Sequence, residues 1–158
     1  MKKVNLNDIP WIERRSPKGT YHRFRRDVAL AFRSPKTGPR LRGRPPFEVE
    51  FVRMPPGAKN FPLHSHATEW EFYLIVSGVG TMRAGKKKTP LKPGDCVLNP
   101  PGELHHITNT GKKDLLYYVI ANNSDADIWH YPDSNKWGFT TGSRIFRLDD
   151  VNYYDGEE

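Results

Sequence analysis

Two histidines separated by a single residue, His64 and His66, are the first residues whose types and spacing suggest chemistry. Because side chains alternate between the two faces of an extended strand, both imidazoles would point to the same side. Imidazole nitrogens placed in this way can bind one metal ion together. The pair therefore predicts half of a metal site, although His-x-His also occurs on surfaces and in hydrogen-bonded structure without metal.

A carboxylate follows closely in the segment WEFYLIVSG. Glu71 shares one strand face with Tyr73 and Ile75, and this strand could return antiparallel beside the histidines. The same alternation places Glu69 on that face, so Glu69 is an alternative to Glu71 as a ligand. Either residue would bring a carboxylate to the interior that the two imidazoles face.

A third imidazole comes from a later strand, after the turn PPG. Alternation places His105 and Ile107 on one face of this strand and His106 on the other, so either histidine could be the ligand. Three neutral imidazoles and one carboxylate suit Mn, Fe, Co, Ni or Zn better than Ca or Mg. We therefore predict one first-row divalent transition metal ion, whose identity the sequence does not determine.

Many short strands must position these residues. The 14 Pro and 13 Gly are dispersed among short runs rich in Val, Ile, Phe, Tyr and Leu, which is typical of strands joined by tight turns. At 158 residues the chain is long enough for one core. We expect one all-β domain, with a further strand at Thr20–Phe32 and a short helix or an irregular loop between Ser124 and Trp137.

Positive charge is concentrated at the N-terminus. Residues 1–46 carry 13 Lys and Arg against 3 Asp and Glu, a net charge of +10, whereas residues 47–158 carry 12 against 15, a net charge of −3. Such a basic arm can attract nucleic acid, but no recognition helix, zinc-finger spacing or aromatic RNA-binding motif accompanies it. We expect a solvated or subunit-contact arm, and nucleic acid is not an expected partner.

Cysteine content and hydropathy exclude other classes of protein. Cys96 is the only cysteine, so neither an intramolecular disulfide nor a thiolate metal cluster can form. The sequence contains no apolar run of membrane length, and the segment MKKVNLNDIPW lacks the features of a secretory signal. We therefore expect a cytoplasmic protein with no membrane partner.

The motifs around these residues resemble those of the cupin family. The segment GAKNFPLHSHATEWEFYLIVSG, residues 57–78, is similar to the first cupin motif, and GDCVLNPPGELHHITN, residues 94–109, is similar to the second. The second motif matches at every anchor, and 15 residues separate the two motifs, as in small microbial cupins. The first motif departs from the family by one extra residue between Gly57 and His64. The anchors of the second motif are Gly94, Pro100, Gly102, His105 and Asn109.

The resemblance implies a fold and a ligand set. It implies a single jelly-roll β-barrel over residues 47–158, including the C-terminal tail, preceded by the basic arm of residues 1–46. The metal ligands that it implies are His64, His66, Glu71 and His105. The family spacing thus selects Glu71 over Glu69 and His105 over His106. Neither the arm nor the segment YPDSNKW is explained by the resemblance.

Residues beside these ligands are candidates for substrate contact. Tyr73 is the best additional catalytic candidate, because its hydroxyl lies one strand repeat from Glu71 and could exchange a proton with a bound substrate. Each candidate also has an ordinary role in core packing. The candidates for substrate binding are Arg53, Met54, Ile75, Ile107 and Tyr117.

Cupin resemblance alone does not name a reaction, because the fold carries many functions. The leading hypothesis is an enzyme acting on a small oxygen-rich metabolite, such as a sugar or sugar-phosphate isomerase or epimerase. The alternatives are a metal-dependent dioxygenase and a non-catalytic binding or sensor protein. Small cupins are commonly dimers, so we also expect a homodimer in which the N-terminal strand takes part.

Overall fold

The computed structural model describes residues 1–33, 45–124, 126–140 and 144–157. The described residues form thirteen strands, the single-turn helix α1 (Val28–Ala31) and two 3-10 turns (Leu6–Asp8 and Pro132–Ser134). In chain order the strands are β1 Ile12–Arg15, β2 His22–Asp27, β3 Phe47–Met54, β4 Ser65–His66, β5 Glu71–Ser77, β6 Gly80–Ala84, β7 Lys87–Leu91, β8 Cys96–Asn99, β9 His105–Asn109, β10 Leu115–Asn122, β11 Ile128–Tyr131, β12 Lys136–Phe139 and β13 Arg144–Phe146.

Six strands form one antiparallel sheet in the order β1-β2-β3-β10-β5-β8. Strand β10 lies in the middle and pairs along its whole length with β3. On β10, Leu115, Tyr117, Val119 and Ala121 are buried, whereas the residues between them are partly or fully exposed. This period of two is what a strand with one face in the core requires.

The other seven strands form two smaller sheets, β7-β6-β9 and β13-β12-β11-β4. They meet where His64, just before β4, pairs with His105, the first residue of β9. The amide of His64 donates to the carbonyl of His105 at 3.2 Å, and the amide of His105 donates back at 2.8 Å. Two of the candidate ligands therefore lie side by side on neighbouring strands.

One hydrophobic cluster joins these sheets. Fully burying a large apolar side chain contributes roughly 1.5–3 kcal/mol, so this cluster is the main source of stability. The single all-β jelly roll that the sequence predicts is confirmed, although hydrogen bonds among the described residues do not close the sheets into one continuous barrel. The buried members of the cluster are Val52, Met54, Ala58, Tyr73, Ile75, Met82, Leu91, Ile107, Leu115, Tyr117 and Val119.

The N-terminal segment differs from the prediction of one strand at Thr20–Phe32. That strand ends at Asp27, whose side chain accepts a hydrogen bond from the amide of Leu30 at 2.7 Å and caps α1. A side-chain cap of this kind favours a helix over a continued strand. A second strand, β1, also pairs with β2, and β2 pairs with β3 of the same chain. Most of the basic stretch RSPKTGPRLRGRPP lies outside the described residues.

The segment after residue 124 contains more regular structure than predicted. Strands β11 and β12 form an antiparallel pair, with a 3-10 turn at Pro132–Ser134 between them. The short runs IWHY and KWGF are rich in aromatic residues, which favour strands. No helix within the described ranges has the length and hydropathy needed to cross a bilayer.

Candidate metal centre

The four predicted ligands converge at one place. His64, His66 and Glu71 each offer one ligand atom, and these atoms all lie within 4.8 Å of one another. The ring centroid of His64 lies 4.9 Å from that of His66 and 4.6 Å from that of His105. Nε2 of His105 lies 2.5 Å from Oε2 of Glu71. His64, His66 and Glu71 thus form one group, and His105 adjoins it through Glu71.

Each imidazole also has an acceptor at its Nδ1 nitrogen. The Nδ1 of His64 lies 3.0 Å from the carbonyl of Pro62, and the Nδ1 of His105 lies 2.9 Å from the carbonyl of Glu103. In His66 the acceptor is Oδ2 of Asp127, 2.6 Å from Nδ1. A proton on Nδ1 in each ring would leave Nε2 as the free lone pair, which is the arrangement found in metal-binding histidines.

The surroundings of Glu71 favour the ionised form of its carboxylate. It begins β5, its residue is 8% exposed, and the hydroxyl of Tyr73 donates a hydrogen bond to Oε2 at 3.0 Å. Burial by itself would raise the pKa of Glu71, but the hydrogen bond with His105 and the electrostatic influence of the neighbouring histidines, His105 first, lower it to about 2. The side chain is therefore ionised at neutral pH.

The histidines differ in their electrostatic surroundings. Burial lowers the pKa of His64 to about 3, and the neighbouring His105 acts in the same direction, so His64 is neutral at physiological pH. Burial opposes protonation of His66 as well, but the hydrogen bond to Asp127 and the nearby carboxylates raise its pKa overall. Negative charge is thus concentrated around His66, which favours a cation at this end of the site.

Asp127 is the functional candidate that sequence reasoning missed. It is 2% exposed, and His66, Glu69 and Asp127 form a second group whose ligand atoms lie within 4.8 Å of one another. Oδ1 of Asp127 accepts hydrogen bonds from the amide and the hydroxyl of Thr68, both at 2.9 Å. The only sequence signal for this position was the strand-forming run IWHY directly after it, which fixes the position of the segment beside β4.

Glu69 and His106, the two alternative ligands, lie outside the group formed by His64, His66 and Glu71. His106 faces away from His105 and lines a separate cavity with Lys59 and Arg83. Glu69 lies 3.4 Å from Nδ1 of His66, on the side opposite Nε2, and burial raises its pKa to about 7. The group that includes His64 contains Glu71 instead.

The turn PPG places His105 as the sequence predicts. Gly102 has φ of +84°, a conformation that L side chains rarely adopt. Its amide donates to the carbonyl of His66 at 2.7 Å, which holds the turn against the first two ligands. The end of the strand is held by Asn109, whose side-chain amide donates to the carbonyls of Met54 and Lys113 at 2.8 and 2.9 Å.

Four of the five predicted substrate-binding residues are core residues. Met54, Ile75, Ile107 and Tyr117 are at most 1% exposed and belong to the hydrophobic cluster. Alternation along their strands points them inward, where they pack against one another. The hydroxyl of Tyr117, for example, contacts Sδ of Met54 at 3.3 Å.

The structure places Arg53 away from the site. On β3, Val52 and Met54 point into the core, so the side chain between them points to the opposite face of the sheet. The guanidinium of Arg53 lies over the rings of Trp11 and Phe24, at 5.2 and 4.4 Å from their centroids. Arg53 is therefore not among the residues that surround the ligands.

Aromatic rings that the sequence did not single out line the site. The ring centroid of Phe61 lies 5.5 Å from that of His64, and the ring of Tyr131 lies 5.9 Å from it on another side. Trp129, also on β11, lies 6.5 Å from His66. These rings shield the imidazoles from solvent, which strengthens electrostatic interactions within the site.

Comparison with known proteins concerns the family and the fold. The cupin domain family matches residues 50–121. An oxalate-binding protein from Thermotoga maritima is 38% identical over 69 residues, which are 44% of this chain and 56% of that protein. The chain therefore spans little more than half the length of the curated relative that it matches.

Solved structures extend the likeness over nearly the whole chain. A protein from Acidithiobacillus ferrooxidans, provisionally named a sugar phosphate isomerase, superposes with a TM-score of 0.77 at 21% identity, covering 93% of this chain and 90% of that one. A sugar phosphate isomerase of the cupin superfamily from Silicibacter pomeroyi gives a TM-score of 0.76 at 22% identity, covering 96% and 98%. At these identities the likeness shows the fold. Residues 50–121 match the cupin domain family, and both motifs lie within that stretch, so this part of the chain is similar to a cupin domain.

Proposed function

We propose that His64, His66, Glu71 and His105 bind one divalent transition metal ion. The observation that carries this proposal is the set of Nδ1 contacts, which leaves the Nε2 side of each ring for the interior, where Nε2 of His105 lies beside the ionised carboxylate of Glu71. Imidazole and carboxylate donors suit Mn, Fe, Co, Ni and Zn.

Elemental analysis of protein purified without chelator tests this site. We expect about one first-row metal ion per chain, and a loss of that metal in His64→Ala and His105→Ala. His130→Ala is the matched control, because His130 stacks on Trp137 at 4.1 Å and takes no part in the site. Wild-type protein that takes up no metal even after reconstitution, or two variants that retain it fully, would show that the assignment is wrong.

We further propose that the protein is an enzyme that isomerises or epimerises a small oxygen-rich metabolite, such as a sugar or sugar phosphate. A bound divalent ion supplies Lewis-acid polarisation of a carbonyl or hydroxyl oxygen. Tyr73 holds Oε2 of Glu71 by its hydroxyl, and we propose it as a positioning residue that acts through this carboxylate. Phe61, Trp129 and Tyr131 exclude water from the imidazoles. The names of the two superposed sugar phosphate isomerases support this reaction class.

Binding of a small carboxylic acid without turnover is the second candidate function. It is favoured by the 38% identity with the oxalate-binding protein over 69 residues. The homodimer and the cytoplasmic location that the sequence suggests also remain proposals.

The metal-loaded protein should be assayed with a panel of aldose and ketose phosphates, with proton NMR and an oxygen electrode read in parallel. We expect interconversion of at least one pair with no oxygen consumed. Oxygen uptake with a diol or enol would favour the dioxygenase alternative. Saturable binding of oxalate with no turnover of any substrate would favour the binding protein.

A further inference from the structure

A cavity of about 430 Å³ lies where the hairpin of β1 and β2 covers the segment before His64. This volume is in the range of small-molecule sites. Arginine is the dominant residue type in its lining: Arg14, Arg15 and Arg23 all face it. Among the described residues that line the cavity, none is acidic. We call this cavity the arginine pocket.

Arg23 is buried to an unusual degree for an arginine. Its residue is 7% exposed, and its nearest carboxylate is Glu50, with Nη1 and Oε2 separated by 3.5 Å. Glu50 also pairs closely with Arg25, so this one carboxylate is shared between two guanidinium groups. Burial lowers the pKa of Arg23, and repulsion from Arg14 acts in the same direction. An anion placed between these arginines would relieve that repulsion.

Asn60 provides a second and independent sign of a ligand. It lines the same cavity and is 5% exposed. Neither Oδ1 nor Nδ2 of Asn60 makes a hydrogen bond of good geometry within the described part of the chain, although the side chain interacts with the hydroxyl of Tyr117 and acts to lower its pKa. A buried amide that lacks well-formed hydrogen bonds is unfavourable, so a bound group that accepts its hydrogen would be stabilised.

The arginine pocket borders the candidate metal centre. The guanidinium carbon of Arg23 lies 3.8 Å from the centroid of the Phe61 ring. The centroid of the same ring lies 5.5 Å from that of the His64 ring. Phe61 is thus in contact with both sites. A metabolite of a few carbon atoms can extend past one aromatic ring, so the two sites are near enough to serve one molecule.

We propose that the arginine pocket binds an oxyanion, with the guanidinium groups of Arg14, Arg15 and Arg23 and the amide of Asn60 holding the phosphate or carboxylate group of a small metabolite. Arginine suits this role because its planar array of donors can bind either anion with two hydrogen bonds. That this metabolite is the substrate of the metal centre rests on the proposed function. The anion site itself does not.

Titration with inorganic phosphate and, separately, with acetate tests the pocket and distinguishes the two anions. Binding is measured by calorimetry and by the NMR signal of the Asn60 side-chain amide, first in chelator-treated protein and then after metal is added. The main variant is the double substitution Arg14→Gln with Arg15→Gln, since both residues are exposed. Asn60→Leu is the second variant. Lys86→Gln with Lys92→Gln is the control with the same change in charge, at exposed positions outside the cavity.

We expect at least one of the two anions to shift the Asn60 signal saturably in chelator-treated protein. The double arginine variant and Asn60→Leu should each weaken this binding at least tenfold, and the lysine control should not. If neither anion binds, or if both variants bind as tightly as wild type, the proposal is overturned. Binding that requires added metal and is unchanged by the arginine substitutions would also overturn the proposal, because the anion would then lie at the metal centre. A protein that binds the anion but takes up no metal would refute the proposed function and leave the pocket intact.

Discussion

Nδ1 of His66 lies 2.6 Å from Oδ2 of Asp127, and this contact fixes which nitrogen of the ring faces the other ligands. His64 and His105 obtain the same control from backbone carbonyls. A side-chain carboxylate differs from a carbonyl because its charge also increases the basicity of the imidazole. At the residue scale, we therefore expect His66 to be the proposed ligand whose metal affinity depends most on a neighbour.

We predict that Asp127→Asn lowers metal affinity by about 10–100-fold, the usual effect of removing a carboxylate from a metal-bound histidine. Competition with a chromophoric chelator measures the affinity, and a thermal melt of the metal-free variant checks the fold. Asp133→Asn is the control, because the carboxylate of Asp133 is exposed and pairs with Arg83 at 2.9 Å. An unchanged affinity in Asp127→Asn would show that the contact has no role in metal binding.

At the scale of elements, the site depends on turns that hold strands β5, β6 and β10 in register. Gly78, between β5 and β6, has φ of +82°, and a Cβ at this position would lie 2.4 Å from the carbonyl oxygen of Asp114. Gly85, in the next hairpin, has φ of +57°, but nothing lies within 4 Å of its Cβ position. The two glycines share a backbone requirement and differ in the space around them.

Gly78→Ala should lower the free energy of unfolding by about 3 kcal/mol, because overpacking against backbone adds to the cost of a left-handed conformation. Gly85→Ala should lower it by only about 1–2 kcal/mol, since the conformation alone is affected. Urea denaturation followed by circular dichroism measures both. Equal losses in the two variants would mean that the close approach to Asp114 is relieved by a small shift of the chain.

At the scale of the whole molecule, the outer face of the six-stranded sheet carries a continuous apolar row. Leu98, Phe72, Ile120 and Val49 are successive register partners across β8, β5, β10 and β3. Leu98 is 54% exposed and Ile120 is 40% exposed. Exposed apolar surface of this kind is common where proteins associate.

We predict a homodimer that buries this row, so Leu98→Lys combined with Ile120→Lys should convert it to a monomer. Light scattering at micromolar concentration measures the mass. Ile145→Lys is the control, at an equally exposed apolar residue on β13. A monomeric wild-type protein would refute the prediction.

The sequence by itself predicted which of the candidate side chains share a face. The period of two is local, so His64 with His66, and His105 apart from His106, could be assigned from spacing alone. The same local rule identified the strands around the two motifs. It was less successful at Thr20–Phe32, because Asp27 starts a helical turn that strand patterning does not reveal.

Only the tertiary structure decided which residues that are distant in sequence contact the proposed ligands and their neighbours. Asp127 is 61 positions from His66, and Arg23 reaches Phe61 only because β2 folds back onto β3. The outward direction of Arg53 likewise follows from which face of β3 is covered by the core. These contacts depend on how whole sheets pack, and the free energy that determines such packing is summed over the entire core rather than encoded in any one segment.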